Sequence, residues 1–161
     1  MTTREFNKCV DDHSDGVYRF ILKSLRDADT AKDIVQDAFT KMWIKRKNVD
    51  GNKAKSYLFT AAYHTMIDYI RKDRKGNVDD GFLERELVEY NSYSDIQEVL
   101  KDALEKLPEV QKSVILLRDY EGYNYKEIGE IVGLNESQVK VYIYRARVAL
   151  KKYIGSLKMV I

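Results

Sequence analysis

Pro108 is the only proline in 161 residues. Elsewhere along the chain, neither a missing backbone N–H nor a ring clash forbids long helices. Runs of alternating β-branched residues are almost absent, while Lys, Glu, Leu and Ala are plentiful, which favours helix over strand. The fold class expected is therefore all-α. A chain this long can bury only modest cores, and its pattern suits two small helical domains better than one compact unit.

Composition removes several classes of function. The single cysteine, Cys9, excludes an intrachain disulfide, and with only His13 and His64 beside it no metal-ligand spacing exists. No cofactor or metal is expected, and a reducing cytoplasm fits. No apolar run approaches the roughly 20 residues needed to span a bilayer, and the N-terminus lacks a signal peptide's apolar stretch, so no membrane insertion is expected. Nor does any spacing set a nucleophile beside a base or pair two carboxylates. The expectation is a protein with no catalytic residues that is not an enzyme.

The apolar pattern divides the chain. Phe6, Val10, Val17, Phe20, Ile21 and Leu25 recur at helical spacing, as one helix or as two broken near Ser14 to Gly16. Thr30 and Asp33 resemble a capping box for a second helix reaching about Lys47, with Ala31, Ile34, Val35, Ala38 and Met42 as its apolar stripe. A third helix should run from Lys53 to about Lys75. It carries one stripe of Leu58, Ala62, Thr65 and Tyr69 and a second, more aromatic one of Phe59, Tyr63, Met66 and Ile70. Residues 76–94 hold five acids against a single arginine, with glycine, asparagine and serine among them, and read as a flexible acidic linker. The domains are thus 1–75 and 95–161.

The second domain begins with an amphipathic helix ending at Pro108, and Val110, Val114, Leu117 and Tyr120 continue the stripe to Gly122. Asn124 with Glu127 then caps a short helix that ends at Gly133. Leu134 plugs the corner, and Asn135 with Gln138 opens a last helix to about Ile154. Two helices joined at a glycine make a helix-turn-helix. Val139, Ile143, Ala146 and Leu150 fix the inward face of the last helix. Gln138, Lys140, Val141, Tyr144, Arg145 and Arg147 then point outward. Residues 137–153 contain five basic side chains and no acid, whereas a merely solvated helix would mix its charges. The pattern is that of a recognition helix, with short polar groups at base edges and cations on phosphates.

At this point the residues resemble a known family. Leu104 to Tyr153, LEKLPEVQKSVILLRDYEGYNYKEIGEIVGLNESQVKVYIYRARVALKKY, is similar to region 4 of the extracytoplasmic-function (ECF) sigma factors of bacterial RNA polymerase, within the sigma-70 family. Asp29 to Arg46, DTAKDIVQDAFTKMWIKR, resembles region 2.2 of the same family, and Ser56 to Lys75, SYLFTAAYHTMIDYIRKDRK, its regions 2.3 and 2.4. The two matches cover most of the chain and imply that the linker threads along polymerase channels.

The resemblance also implies roles for single residues. Contacts to the minus-35 promoter element fall on Gln138, Lys140, Val141, Tyr144 and Arg145, with Arg147, Tyr125 and Lys126 beside phosphates. Val141 departs from the small hydroxyl residue common there, which turns a hydrogen bond into an apolar contact such as a thymine methyl. Asp33, Gln36, Asp37, Thr40 and Lys41 match the face that docks on the largest polymerase subunit. By itself such a mixed-charge face is usually just a solvated one. Trp43 and Phe39 read as core.

For the melted minus-10 element, His64 aligns with a frequent asparagine of the base-capturing stretch, and a surface histidine satisfied by its neighbours is the alternative. Tyr63 offers a stacking face, while Phe59 reads as packing. Arg71, Lys72, Arg74 and Lys75 form a basic end for backbone phosphate. The function implied is an initiation factor that binds core RNA polymerase and promoter DNA, as duplex and as melted single strand, with room for an anti-sigma protein that occludes both docking faces. A stand-alone duplex regulator and a pure protein-interaction module are the competing readings.

Overall fold

The computed structural model describes residues 1–76 and 95–158, with side chains at 1–73 and 97–155. The expected linker thus lies outside the described residues, apart from Gly76. Seven α-helices and no strand are found among the described residues. Helix α1 spans Thr3–Leu25, α2 Ala28–Ile44 and α3 Ala54–Gly76, while α4 spans Asp95–Glu105, α5 Glu109–Ile115, α6 Tyr125–Val132 and α7 Glu136–Lys158.

Local chemistry sets the helix ends. The Thr2 hydroxyl accepts from the Glu5 N–H and the Glu5 carboxylate from the Thr2 N–H, both at 3.1 Å, so a reciprocal cap starts α1. The helix then runs unbroken through Ser14 to Gly16, so the alternative of two helices does not hold. Gly16 is there for closeness: a Cβ on it would lie 3.3 Å from Glu121 and 3.6 Å from Phe59.

Arg26 ends α1 in the left-handed region at φ 57°. Asp27 caps α2 by accepting from the N–H groups of Asp29 and Thr30 at 3.1 and 3.3 Å. The cap is therefore Asp27 rather than Thr30, whose hydroxyl donates to the same carboxylate at 3.0 Å. Helix α2 stops at Ile44, short of Lys47, and two single 3₁₀ turns, Arg46–Asn48 and Gly51–Lys53, lead into α3.

Helices α1 to α3 pack against one another around Phe20, Ile21, Met42, Leu58 and Met66, all at most 1% exposed. Each such side chain contributes roughly 1.5–3 kcal/mol by leaving water. In the C-terminal half Leu117, Ile128, Ile131, Val139 and Ala146 are fully enclosed and belong to the same continuous core as the buried side chains of α1 to α3. Pro108 stands just before α5 with φ −54°, already suited to a helix start. Past Ile115 the helix widens into one π turn, Leu116–Tyr120, before Gly122 reverses the chain at φ 74°.

The two halves also touch. Helix α3 packs on α6, and the rings of Phe59 and Tyr123 meet edge to face with centroids 5.1 Å apart. Arg19 grips Glu121 through two hydrogen bonds of 2.8 and 2.9 Å. Arg26 reaches Asp102 and Glu105 at 3.0 and 3.1 Å. Buried Lys112 donates from Nζ to the Ser24 carbonyl at the end of α1, at 2.8 Å.

Candidate nucleic-acid interface and docking face

The helix-turn-helix is built by two reciprocal caps and one tight corner. The Asn124 N–H donates to Glu127 at 3.1 Å and the Glu127 N–H returns to Asn124 at 2.8 Å. Gly133 turns left-handed at φ 77°. The Gly133 and Leu134 N–H groups both donate to the Gly129 carbonyl at 2.9 Å. Gly129 itself must lack a side chain, because a Cβ there would collide with the Leu134 carbonyl. Sequence reasoning missed this residue, although a glycine inside a capped apolar helix was its signal.

Helix α7 opens on the second cap. The Asn135 N–H donates to Gln138 Oε1 at 3.0 Å and the Gln138 N–H to Asn135 Oδ1 at 2.8 Å. This occupies the Gln138 oxygen and leaves its amide NH₂ to donate outward. Val139, Ile143 and Ala146 are buried, so the opposite face is committed to solvent. On that face Gln138, Lys140, Arg145 and Arg147 are exposed, Val141 is 44% exposed and Tyr144 69%.

Tyr125 is half-buried between two cations, with Arg118 4.7 Å and Lys140 5.5 Å from its ring centre, while Lys126 is exposed. Arg147 is already paired, 2.9 Å from Asp119. A phosphate there must compete with that carboxylate.

On α2, Asp33, Gln36, Asp37, Thr40 and Lys41 form one exposed row. The Lys41 ammonium lies 3.2 Å from Asp37 and donates to the Thr65 hydroxyl of α3 at 2.9 Å. The row therefore borders a shallow groove between α2 and α3, whose far wall is Thr65, Asp68, Tyr69 and Lys72. Lys72 was expected only at the basic end of α3, and the other three were not linked to this row, because spacing shows only their own helix. Trp43 is not core as expected. It is 37% exposed, lying against the Phe6 ring at 4.9 Å with the Arg46 guanidinium stacked 3.8 Å from its centre. Phe39 is half-buried beside the same Phe6.

His64, Arg71 and Lys72 are exposed on α3. Arg74 and Lys75 continue that helix, but their side chains lie outside those described. Tyr63 presents no stacking face here, being only 6% exposed. Burial, and the nearby Glu109 of α5, push its phenol pKa up. Of the second stripe of α3, Phe59 and Tyr63 thus face the C-terminal half. No helix among the described residues is long and apolar enough to cross a membrane.

Comparison with known proteins follows the same division. Residues 9–76 match the family described as Sigma-70 region 2 and residues 97–150 the one described as Sigma-70, region 4. The chain is 34% identical over 140 residues to the ECF RNA polymerase sigma factor SigM of Bacillus subtilis (strain 168), covering 84% of this chain and 86% of that protein. It is 33% identical over 145 residues to the RNA polymerase sigma factor SigV of the same organism, covering 86% and 84%. The sigma factor RpoE, solved with the anti-sigma factor NepR from Bartonella quintana, has a similar fold, with a TM-score of 0.78 at 24% identity over 95% of this chain and 98% of that one.

Proposed function

Because this chain belongs to the ECF sigma factors of the sigma-70 family, which act in promoter-specific transcription initiation without catalysing a reaction, we propose that it docks on core RNA polymerase, reads a minus-35 element through α7 and melts a minus-10 element beside α3. The observation that carries this reading is the outward face of α7. Behind a reciprocal cap it exposes Gln138, Lys140, Val141, Tyr144 and Arg145 in succession and contains no acid from Ser137 to Tyr153.

In this reading the first turns of α7 meet base edges in the major groove. Lys126, Arg147 and the Tyr125 edge meet phosphate. Core polymerase docks on the row from Asp33 to Lys41, and His64 faces the melted strand while Arg71, Lys72, Arg74 and Lys75 hold its backbone. The solved RpoE was bound to an anti-sigma factor, and an anti-sigma protein that covers the docking faces is the regulator this reading supports. The chain works in the cytoplasm, where polymerase is.

Replacing Arg145 with alanine separates the roles. Upstream-element binding should fall at least tenfold while capture of core polymerase is unchanged. Loss of polymerase capture instead would contradict the division of labour between the halves.

A further inference from the structure

Lys140, Tyr144, Arg147 and Lys151 are spaced four, three and four apart, so they share one side of α7, and all four are exposed. Arg118 stands at one end of that row, against the Tyr125 ring that Lys140 also approaches. No acid lies on α7 from Ser137 to Tyr153, so an anion that meets the row must come from another element. Asp119 does, from the π turn that follows α5. Its Oδ1 accepts from Nη2 of Arg147 at 2.9 Å, with the two side chains 43% and 53% exposed. One N–H of the guanidinium is thus spent, and the rest of its fork is left to donate elsewhere. A pair this exposed adds little to the stability of the fold. Its effect is on charge, because Arg147 joins the row as a cation already matched by an anion.

Resting on the proposed reading of duplex by α7, we propose that Asp119 is an internal counter-anion of the recognition helix, a positioning residue that lets Arg147 approach a phosphate without adding net charge to the contact. A free cation that meets DNA releases about one condensed counterion, and that release gives affinity for any sequence. A guanidinium still joined to a carboxylate is neutral as a unit and releases none. If it leaves Asp119 for the phosphate, the carboxylate stays behind beside a second anion and opposes the gain. In both cases the phosphate contact helps to orient the duplex while contributing little sequence-blind affinity. Gln138, Lys140, Val141 and Tyr144, at the base edges, then make up a larger share of the hold. Asp119 thereby keeps the factor from lingering on duplex that lacks its element.

Asp119→Asn removes the charge and keeps an oxygen that can accept from Arg147, so it isolates the electrostatic role. The full-length protein and this variant are titrated by fluorescence anisotropy against a short labelled DNA duplex of arbitrary sequence, from about 50 to about 200 mM KCl. Asp119→Asn should bind more tightly at the low-salt end. It should also steepen the fall of log affinity with log salt by about 0.9, which across that range is about threefold more weakening than the unsubstituted protein shows. Adding Arg147→Ala to Asp119→Asn should return the slope to the unsubstituted value. A merely structural role for Asp119 would alter folding or affinity without this change of slope. Equal slopes with and without Asp119→Asn would overturn the counter-anion, and so would a steepening that survives Arg147→Ala. No binding by the unsubstituted protein at the lowest salt would instead overturn the proposed reading of duplex beneath it.

Discussion

Asn135 and Gln138 hold each other's backbone: each side-chain oxygen accepts the other residue's N–H, at 2.8 and 3.0 Å, across the first turn of α7. The pair satisfies two N–H groups that a helix start otherwise leaves to water, and it aims the turn proposed to meet base edges. Asn135→Ala should cost about 1 kcal/mol of stability in chemical denaturation. It should weaken upstream-element binding by more than its stability loss explains, because the cap also orients Gln138. Unchanged affinity in a stably folded variant would show that the first turn does not touch DNA.

Gly129 supports the same corner from below. Alanine there would drive a Cβ into the Leu134 carbonyl, and backbone cannot swing aside as a flexible side chain can. Gly129→Ala should therefore destabilise the C-terminal half by roughly 1–3 kcal/mol. The loss should appear as reduced amide-exchange protection across α6 and α7, with α1 and α2 much less affected.

Val141 is an exposed valine on a face where a hydroxyl would offer a hydrogen bond. If it packs on a thymine methyl, replacing each thymine of the upstream element in turn by deoxyuracil removes one methyl group and about 0.8 kcal/mol, a roughly fourfold loss in affinity at one position. The Val141→Ser variant should be indifferent to that same replacement. An equal response in both proteins would place the contact elsewhere.

Alkaline conditions probe the buried core. Burial pushes the Cys9 thiol from 9.0 up to about 11, with Asp12 adding to the shift, and burial also raises the Tyr123 phenol. Each folded-state pKa lies above its unfolded value, so the folded state keeps protons that the unfolded chain gives up. The Cys9 contribution is complete below about pH 9 and is lost as pH rises through about 11, whereas that of Tyr123 persists to higher pH. Denaturation midpoints should fall across that window, and Cys9→Ala should flatten the fall.

Much of this was legible in the sequence, for identifiable reasons. Gly133, the Asn124–Glu127 and Asn135–Gln138 pairs and the stripe Val139, Ile143, Ala146 are short-range signals whose meaning is local, and the structure places each as the pattern predicts. The second stripe of α3 was visible too, but its partner was not. Periodicity shows that Phe59 and Tyr63 share a face, and only the fold shows that Tyr123 and Glu109 cover it.

Gly16 left a break in α1 open for the same reason, since a helical glycine that admits a distant glutamate looks like a helix breaker. Asp27 was overlooked as a cap because Thr30 and Asp33 offered a familiar spacing three residues on. Trp43 was expected in the core on hydrophobicity alone, whereas its ring finds Phe6 and Arg46 near the surface. The buried Lys112 could not be foreseen, because its partner is a backbone carbonyl 88 residues away.

The most direct test of the account is transcription reconstituted with purified core polymerase on genomic DNA, with and without this protein. Discrete starts that appear only when the protein is added, each preceded by a shared two-part upstream motif, are the predicted result. A start pattern identical with and without the protein would contradict it.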